Sequence, residues 1–252
     1  MMTVHIIAQG KGGVGKTTIS VFLSQYLKDN SEREIICIDT DPVNSTFSAF
    51  KSLEVNQIKL IDENDDINSR NFDALIEMIA ESRDSNFVID VGASSFVPMA
   101  NYILQNEVID ILTSLGHETI IHTIVTGGPS LLDTLNGMNQ LLTTFPDEAK
   151  FIVWLNPFFG NIESNGKTFE AMKAYIQNKD RIASIIRIPK LKPETFGKDL
   201  QEMLSKHKTF SEAIPECTET GKIMVAQRLK IVSTDIFQQI SQSKIWSDIR
   251  NG

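Results

Sequence analysis

The chain has 252 residues, 41% of them hydrophobic, with 32 acidic against 24 basic side chains and a formal net charge of -8. That balance argues against a protein that coats nucleic acid by bulk charge, while leaving room for a local basic patch. Two cysteines, with Cys37 inside the apolar run Ile35 to Ile38, argue against a disulfide framework and for a reducing compartment, and no stretch approaches the roughly 20 apolar residues that span a bilayer.

Met1 to Ala8 is too short for the apolar segment of a signal peptide. No repeat, low-complexity tract or Pro/Gly-rich linker divides the chain, so a single domain over residues 1–252 is expected, with a C-terminal helical segment from about 220 to 250. Short β-rich apolar runs recur at Val4 to Ala8, Glu34 to Ile38, Phe87 to Val91, Val108 to Leu112, Ile120 to Val125, Phe151 to Leu155 and Ile182 to Ile188. Such runs read as buried parallel strands. Between the first two lies a helix with Ile19, Phe22, Leu23, Tyr26 and Leu27 on its apolar face and Ser20, Ser24 and Lys28 on its polar face. Phe72, Leu75, Ile76 and Ile79 mark a second helix, and Leu131, Leu132, Leu135, Met138, Leu141 and Leu142 a third, after the start signal Gly127-Gly128-Pro129. Strand and helix in alternation predict an α/β fold: a doubly wound, mostly parallel sheet with helices on both faces and its ligand at the carboxyl ends of the strands.

The first strand runs into Gly10-Lys11-Gly12-Gly13-Val14-Gly15-Lys16-Thr17, which satisfies G-x-x-x-x-G-K-[ST] between a strand and a helix. Glycines let the backbone curl around an anion with several N–H groups inward, and the helix N-terminus adds partial positive charge. Lys16 is expected at the β- and γ-phosphates and Thr17 on Mg²⁺. The phosphate cradle comprises Gly10, Gly12, Gly13, Val14, Gly15, Lys16, Thr17 and Thr18. The second strand ends in Asp39-Thr40-Asp41-Pro42, and a later one in Phe87-Val88-Ile89-Asp90, an apolar run closed by an acid that suits a Mg²⁺ site working through water.

Lys11 within the loop resembles the deviant Walker A motif of the ParA/MinD ATPase family. The resemblance implies an ATP-bound homodimer in which Lys11 contacts the other subunit's phosphates; a solvated loop lysine is the plainer alternative. It also implies a first switch in which Asp41 orients or deprotonates the attacking water and Asp39 supports the metal's water shell, although an Asx turn would equally account for Asp39. Asn156 and Pro189, at two later strand ends, would bracket adenine, with turn formation as the alternative for each. After Asp90 the family usually continues with paired prolines, whereas this chain reads Val91-Gly92-Ala93-Ser94-Ser95-Phe96. Segments such as Cys37 to Asn44, Val91 to Pro98, His122 to Gly128, Glu194 to Gly197 and Gln227 to Val232 narrow the resemblance to ATPases of plasmid conjugal transfer.

The resemblance therefore implies a Mg-ATP switch ATPase in the cytoplasm, or peripheral at the inner membrane through partners, acting with other conjugation or plasmid-maintenance proteins. A partition ATPase that binds nonspecific DNA is the alternative, its basic surface being Arg181, Arg187, Lys190 and Lys192 or Lys222, Arg228 and Lys230. A metabolic enzyme on the same scaffold is disfavoured. A shared iron-sulfur cluster needs thiolates at a subunit seam, and Cys37 is expected inside a strand and Cys217 in a late loop. The tail residues Ile236, Phe237, Ile240, Ile245, Trp246 and Ile249 are apolar, but Lys244 and Arg250 are too few cations for a lipid-binding helix, so docking on protein is favoured. His117 and His122 lack a partner at metal-site spacing and are expected at polar loop and core positions.

Overall fold

A computed structural model describes residues 2–41, 45–58, 60, 70–82 and 84–243 of the chain. Seven parallel strands form one sheet in the order β3-β2-β4-β1-β5-β6-β9. They are β1 (Met2–Ile7), β2 (Glu34–Asp39), β3 (Asn56–Gln57), β4 (Ser85–Asp90), β5 (His117–Thr126), β6 (Lys150–Asn156) and β9 (Ile182–Arg187). A separate antiparallel hairpin pairs β7 (Glu163–Ser164) with β8 (Lys167–Thr168).

Alternating side chains of β1 feed opposite cores, as a sheet covered on both faces requires. Ile7 joins the core under α1 (Lys16–Asn30), α7 (Lys198–Ser205), α8 (Phe210–Glu219) and α9 (Ile223–Gln242). Val4 and Ile6 join the core under α2 (Arg70–Glu81), α3 (Phe96–Gln105), α4 (Val108–Ser114) and α5 (Leu131–Thr144). The expected doubly wound α/β architecture is therefore present. β1 lies between β4 and β5, so the loop leaving β1 emerges at the point where the winding changes direction.

Four local expectations need correction. The run Val108 to Leu112 is not a strand but α4: Val108, Ile109 and Leu112 are buried while Ile111 is exposed, a spacing only a helix produces. Its β-branched content misled, and the strand is the ten-residue β5 that follows. Ser20 and Ser24 do not face water; both are buried on the side of α1 turned toward the sheet, Ser20 beside Asp90 of β4 and Ser24 beside Cys37 of β2. Where α1 meets α8, the Gln25 amide donates to Ser211 Oγ at 2.6 Å and its carbonyl accepts from Phe210 N–H at 2.9 Å. Cys217 lies within α8 rather than in a loop, and His117 is buried at the start of β5.

Cys37 is buried, as expected. Ile236 and Ile240 of the tail pack into the core through α9, while Ile245, Trp246 and Ile249 lie outside the described residues, as do Pro42, Val43 and Asn44. Among the described residues no helix is long and apolar enough to cross a membrane, and no group of three or more His, Cys, Asp or Glu side chains is arranged to hold a metal.

Candidate phosphate-binding site

The loop between β1 and α1 turns on two glycines with left-handed backbone, Gly13 at φ 73° and Gly15 at φ 100°, where a side chain would be strained. Space around Gly13 is open, with no atom within 4 Å of where a Cβ would sit. Gly15 is also crowded: a Cβ there would meet Asn156 Nδ2 at 2.9 Å. The Asn156 amide donates to Val14 C=O at 2.9 Å, and its carbonyl accepts from Phe158 N–H at 3.2 Å. It ties the end of β6 to the wall of the phosphate loop and keeps one N–H and one lone pair uncommitted. Pro189 is half-buried two residues beyond β9.

Lys16 opens α1 and is buried, its ammonium donating to Lys11 C=O at 3.3 Å. Burial pushes its pKa down, and the carboxylates of Asp90 and Asp41 pull it back up. A desolvated cation with one long carbonyl bond and, among the described residues, no carboxylate in direct contact gains most from an anion placed in the loop.

Asp90 ends β4, beside Ile7 of β1 on one side and Asp39 of β2 on the other. Its Oδ2 accepts from Thr17 Oγ1–H at 2.7 Å, while its Oδ1 is buried and has no hydrogen-bond partner. Burial and the neighbouring Asp39 carboxylate raise its pKa from 3.8 to about 6, against the opposing effects of the Thr17 and Ser20 hydroxyls and Lys16. An orphaned carboxylate oxygen beside a threonine hydroxyl suits a hydrated Mg²⁺, so the residues present fit the implied ion.

Asp39 is fully buried with both oxygens engaged: Oδ1 accepts from Asp41 N–H and Oδ2 from Ser48 N–H, each at 3.0 Å. These bonds shape the loop after β2, as an Asx turn does. Burial nonetheless raises its pKa.

Asp41 comes next to the segment after Asp90. A Cβ on Gly92 would stand 2.8 Å from both Cα and Cγ of Asp41, so only glycine permits this approach. Ser95 Oγ–H reaches Thr40 C=O at 3.3 Å, and the Phe96 ring lies 3.2 Å from a Cβ placed on Gly10. The unusual Gly92-Ala93-Ser94-Ser95-Phe96 stretch thus binds the loop after β2 to the phosphate loop. Its sequence signal was the small residue itself, two positions after a strand-ending acid.

Other contacts around the site carried no local signal. The Lys11 ammonium pairs with Asp133 in the first turn of α5 at 2.8 Å, the two side chains being 43% and 54% exposed. Gln9, buried just before the loop, donates to Ile124 C=O at 2.8 Å and Thr134 C=O at 3.1 Å. Gly137 gives it room, since a Cβ there would lie 2.1 Å from Gln9 Oε1.

The profile of the CobQ/CobB/MinD/ParA nucleotide binding domain matches residues 5–228. Protein TraL of Escherichia coli is 50% identical over 245 residues, covering 97% of this chain and 100% of the relative. An ATPase ASNA1 homolog of Dictyostelium discoideum is 24% identical over 201 residues, covering 75% of this chain and 59% of the relative. Two solved structures share the fold. A ParA family ATPase from Chlorobium tepidum TLS has TM-score 0.50 at 15% identity, with 92% of this chain and 98% of that chain covered. The MinD cell division protein of Aquifex aeolicus has TM-score 0.51 at 17% identity, with 90% and 97% covered. The chain therefore belongs to the CobQ/CobB/MinD/ParA nucleotide-binding family, in the group that includes Protein TraL.

Proposed function

We propose that the protein is a single-domain, Mg-ATP-dependent switch ATPase that serves plasmid conjugative DNA transfer by recruiting other transfer components in its ATP-bound, dimeric form. The observation that carries it is the presence, in one strand-end cleft, of the buried Lys16 ammonium and of Asp90, whose Oδ1 lacks a partner. When bound, Mg-ATP supplies the phosphates and the divalent charge that this pair lacks.

Residues of the chain then take separate roles. Gly10, Gly12, Gly13, Val14, Gly15, Lys16, Thr17 and Thr18 hold phosphate through backbone N–H groups and the Lys16 ammonium. Thr17 and Asp90, with Asp39 behind them, hold the metal's shell. Asp41, seated against Gly92, accepts a proton or hydrogen bond from the attacking water, and hydrolysis is slow. Asn156 offers its free N–H and lone pair to adenine, with Pro189 on the other side. Lys11 is free to act on the partner's phosphates because an exposed pair such as Lys11 with Asp133 contributes only about 0–1 kcal/mol.

Sedimentation with and without ATP, combined with nucleotide titration, tests this. Lys16→Ala is expected to weaken nucleotide binding by at least ~100-fold, about 3 kcal/mol. Lys11→Ala keeps binding but loses the ATP-dependent rise in mass; Asp41→Ala retains the ATP dimer and stops turnover. A wild-type chain whose mass ignores ATP removes the trans role of Lys11, and an Asp41 variant with normal turnover removes that of Asp41.

Plasmid partition through nonspecific DNA is less well supported, because the arginines of both candidate patches are engaged within the chain: Arg181 with Asp147, Arg187 with Glu170 and Arg228 with Asp199. An ATP-dependent shift of duplex DNA that fades steeply with salt would reverse this preference.

A further inference from the structure

An open groove of about 480 Å³ runs along α5, outside the phosphate site. One wall is the α5 stripe Leu132, Leu135, Asn136 and Asn139, residues spaced to share a helix face over about 10 Å. The other wall is the β7–β8 hairpin and the start of α6 (Lys173–Asn178). Asn165 at φ 51° and Gly166 at φ 72° give the hairpin a two-residue turn whose twist matches its strands. Asn178 Nδ2–H donates to Asn139 Oδ1 at 2.9 Å and fixes one end of α6 against α5.

The lining is chemically one-sided. Leu132 is 67% exposed and the half-buried Leu135 extends the apolar surface, while Met172 of the lining is buried. Lys167 and Lys173 are the charged groups of the lining, which holds no acid although acids exceed bases in the chain by 32 to 24. Neither lysine has an ion-pair partner among the described residues.

We propose that this groove is a docking site for an acidic amphipathic segment of a partner protein. Apolar side chains of the segment seat on Leu132 and Leu135, and carboxylates flanking them meet Lys167 and Lys173. Amides at Asn136, Asn165 and Gln177 are placed to bond its backbone. Nucleic acid fits less well, since a phosphate backbone gains nothing from an apolar floor and two lysines neutralise little of it. The groove begins one residue before Asp133, so an occupant would sit beside the residue that holds Lys11.

A library of peptides of about 12 residues, long enough to follow the groove wall, is selected on the full chain and counter-selected on Leu132→Asp. Leu132 is exposed, so that variant should melt like wild type, and a melting curve checks it. Recovered peptides are expected to place Asp or Glu around two or three apolar residues. They should lose at least ~10-fold affinity for a Lys167→Glu/Lys173→Glu variant, about 1.4 kcal/mol. Selection of basic or neutral peptides, binding indifferent to both variants, or recovery of nothing would overturn the proposal. So would duplex DNA binding lost in the double variant, which would assign the lysines to nucleic acid. Self-association abolished by Leu132→Asp would assign the groove to a second copy.

Discussion

Two buried polar clusters occupy the same sheet and have opposite characters. At the strand ends, Lys16, Asp39 and Asp90 are charged groups whose burial works against their ionised forms, and Asp90 keeps an oxygen without a partner. In mid-sheet, His5, His122 and Trp154 form a neutral chain: Trp154 Nε1–H donates to His122 Nδ1 at 2.9 Å, and His122 Nε2 lies 2.9 Å from His5 Nδ1. Because indole can only donate, His122 must carry its proton on Nε2 and pass the bond on to His5. His5 Nε2–H then ends the chain without an acceptor among the described residues. Burial alone lowers the His5 pKa to about 3, and burial with the neighbouring ring lowers that of His122 further below 6.5 than a surface imidazole would go. The contrast teaches that buried polar groups have two uses: neutral rings that bond one another specify packing, and buried charged groups at the strand ends gain from a ligand of opposite charge.

Removing the unmatched charge should sharpen that contrast most. The folded pKa of Asp90 is raised, so its contribution to stability is present below about pH 4 and is lost as pH rises through about 6. Asp90→Asn is therefore expected to stabilise the nucleotide-free protein at pH 7 by up to about 3 kcal/mol, the equivalent of a two-unit shift. Denaturant melts between pH 4 and 8 read this, and magnesium-dependent nucleotide affinity should fall in the same variant. A destabilised Asp90→Asn protein would mean that the strand-end cluster is as well matched as the histidine chain.

The histidines give the opposite slope. Their folded pKa values are depressed, so the stability they contribute is present above about 6.5 and is lost as pH falls below it. Trp154→Phe strips the donor from His122 Nδ1 and is expected to cost about 2 kcal/mol, with nucleotide affinity unchanged. Altered nucleotide affinity in that variant would break the separation between the clusters.

Gly92→Ala is expected to have the smallest effect on the fold and a selective one on the site. The added methyl group must displace Asp41, so turnover should fall ~10-fold, about 1.4 kcal/mol of transition-state free energy, while ATP affinity stays within a factor of about two. Equal losses in affinity and turnover would show that Gly92 supports the phosphate loop as a whole.

Much of the fold was legible before any coordinates. Strands β1, β2, β4, β6 and β9 coincide with apolar runs, and the glycine loop falls between β1 and α1. The run Val108 to Leu112 shows the limit, since four apolar residues around Asp110 fit one turn of a buried helix as well as a strand. The burial of Ser20 and Ser24 was hidden for a different reason: the strand residues beside them, Asp90 and Cys37, come under α1 only once the sheet is assembled.

By itself the sequence determined what depends on neighbouring residues: strand period, helix spacing, and the left-handed glycines that let a backbone curl around phosphate. Tertiary structure alone decided which charges are matched. Thr17 meets Asp90 from 73 positions away, Lys11 meets Asp133 across the mouth of the site, and Gly92 makes room for Asp41. Burial and pairing are properties of the surroundings, and those are assembled from segments that no local pattern connects.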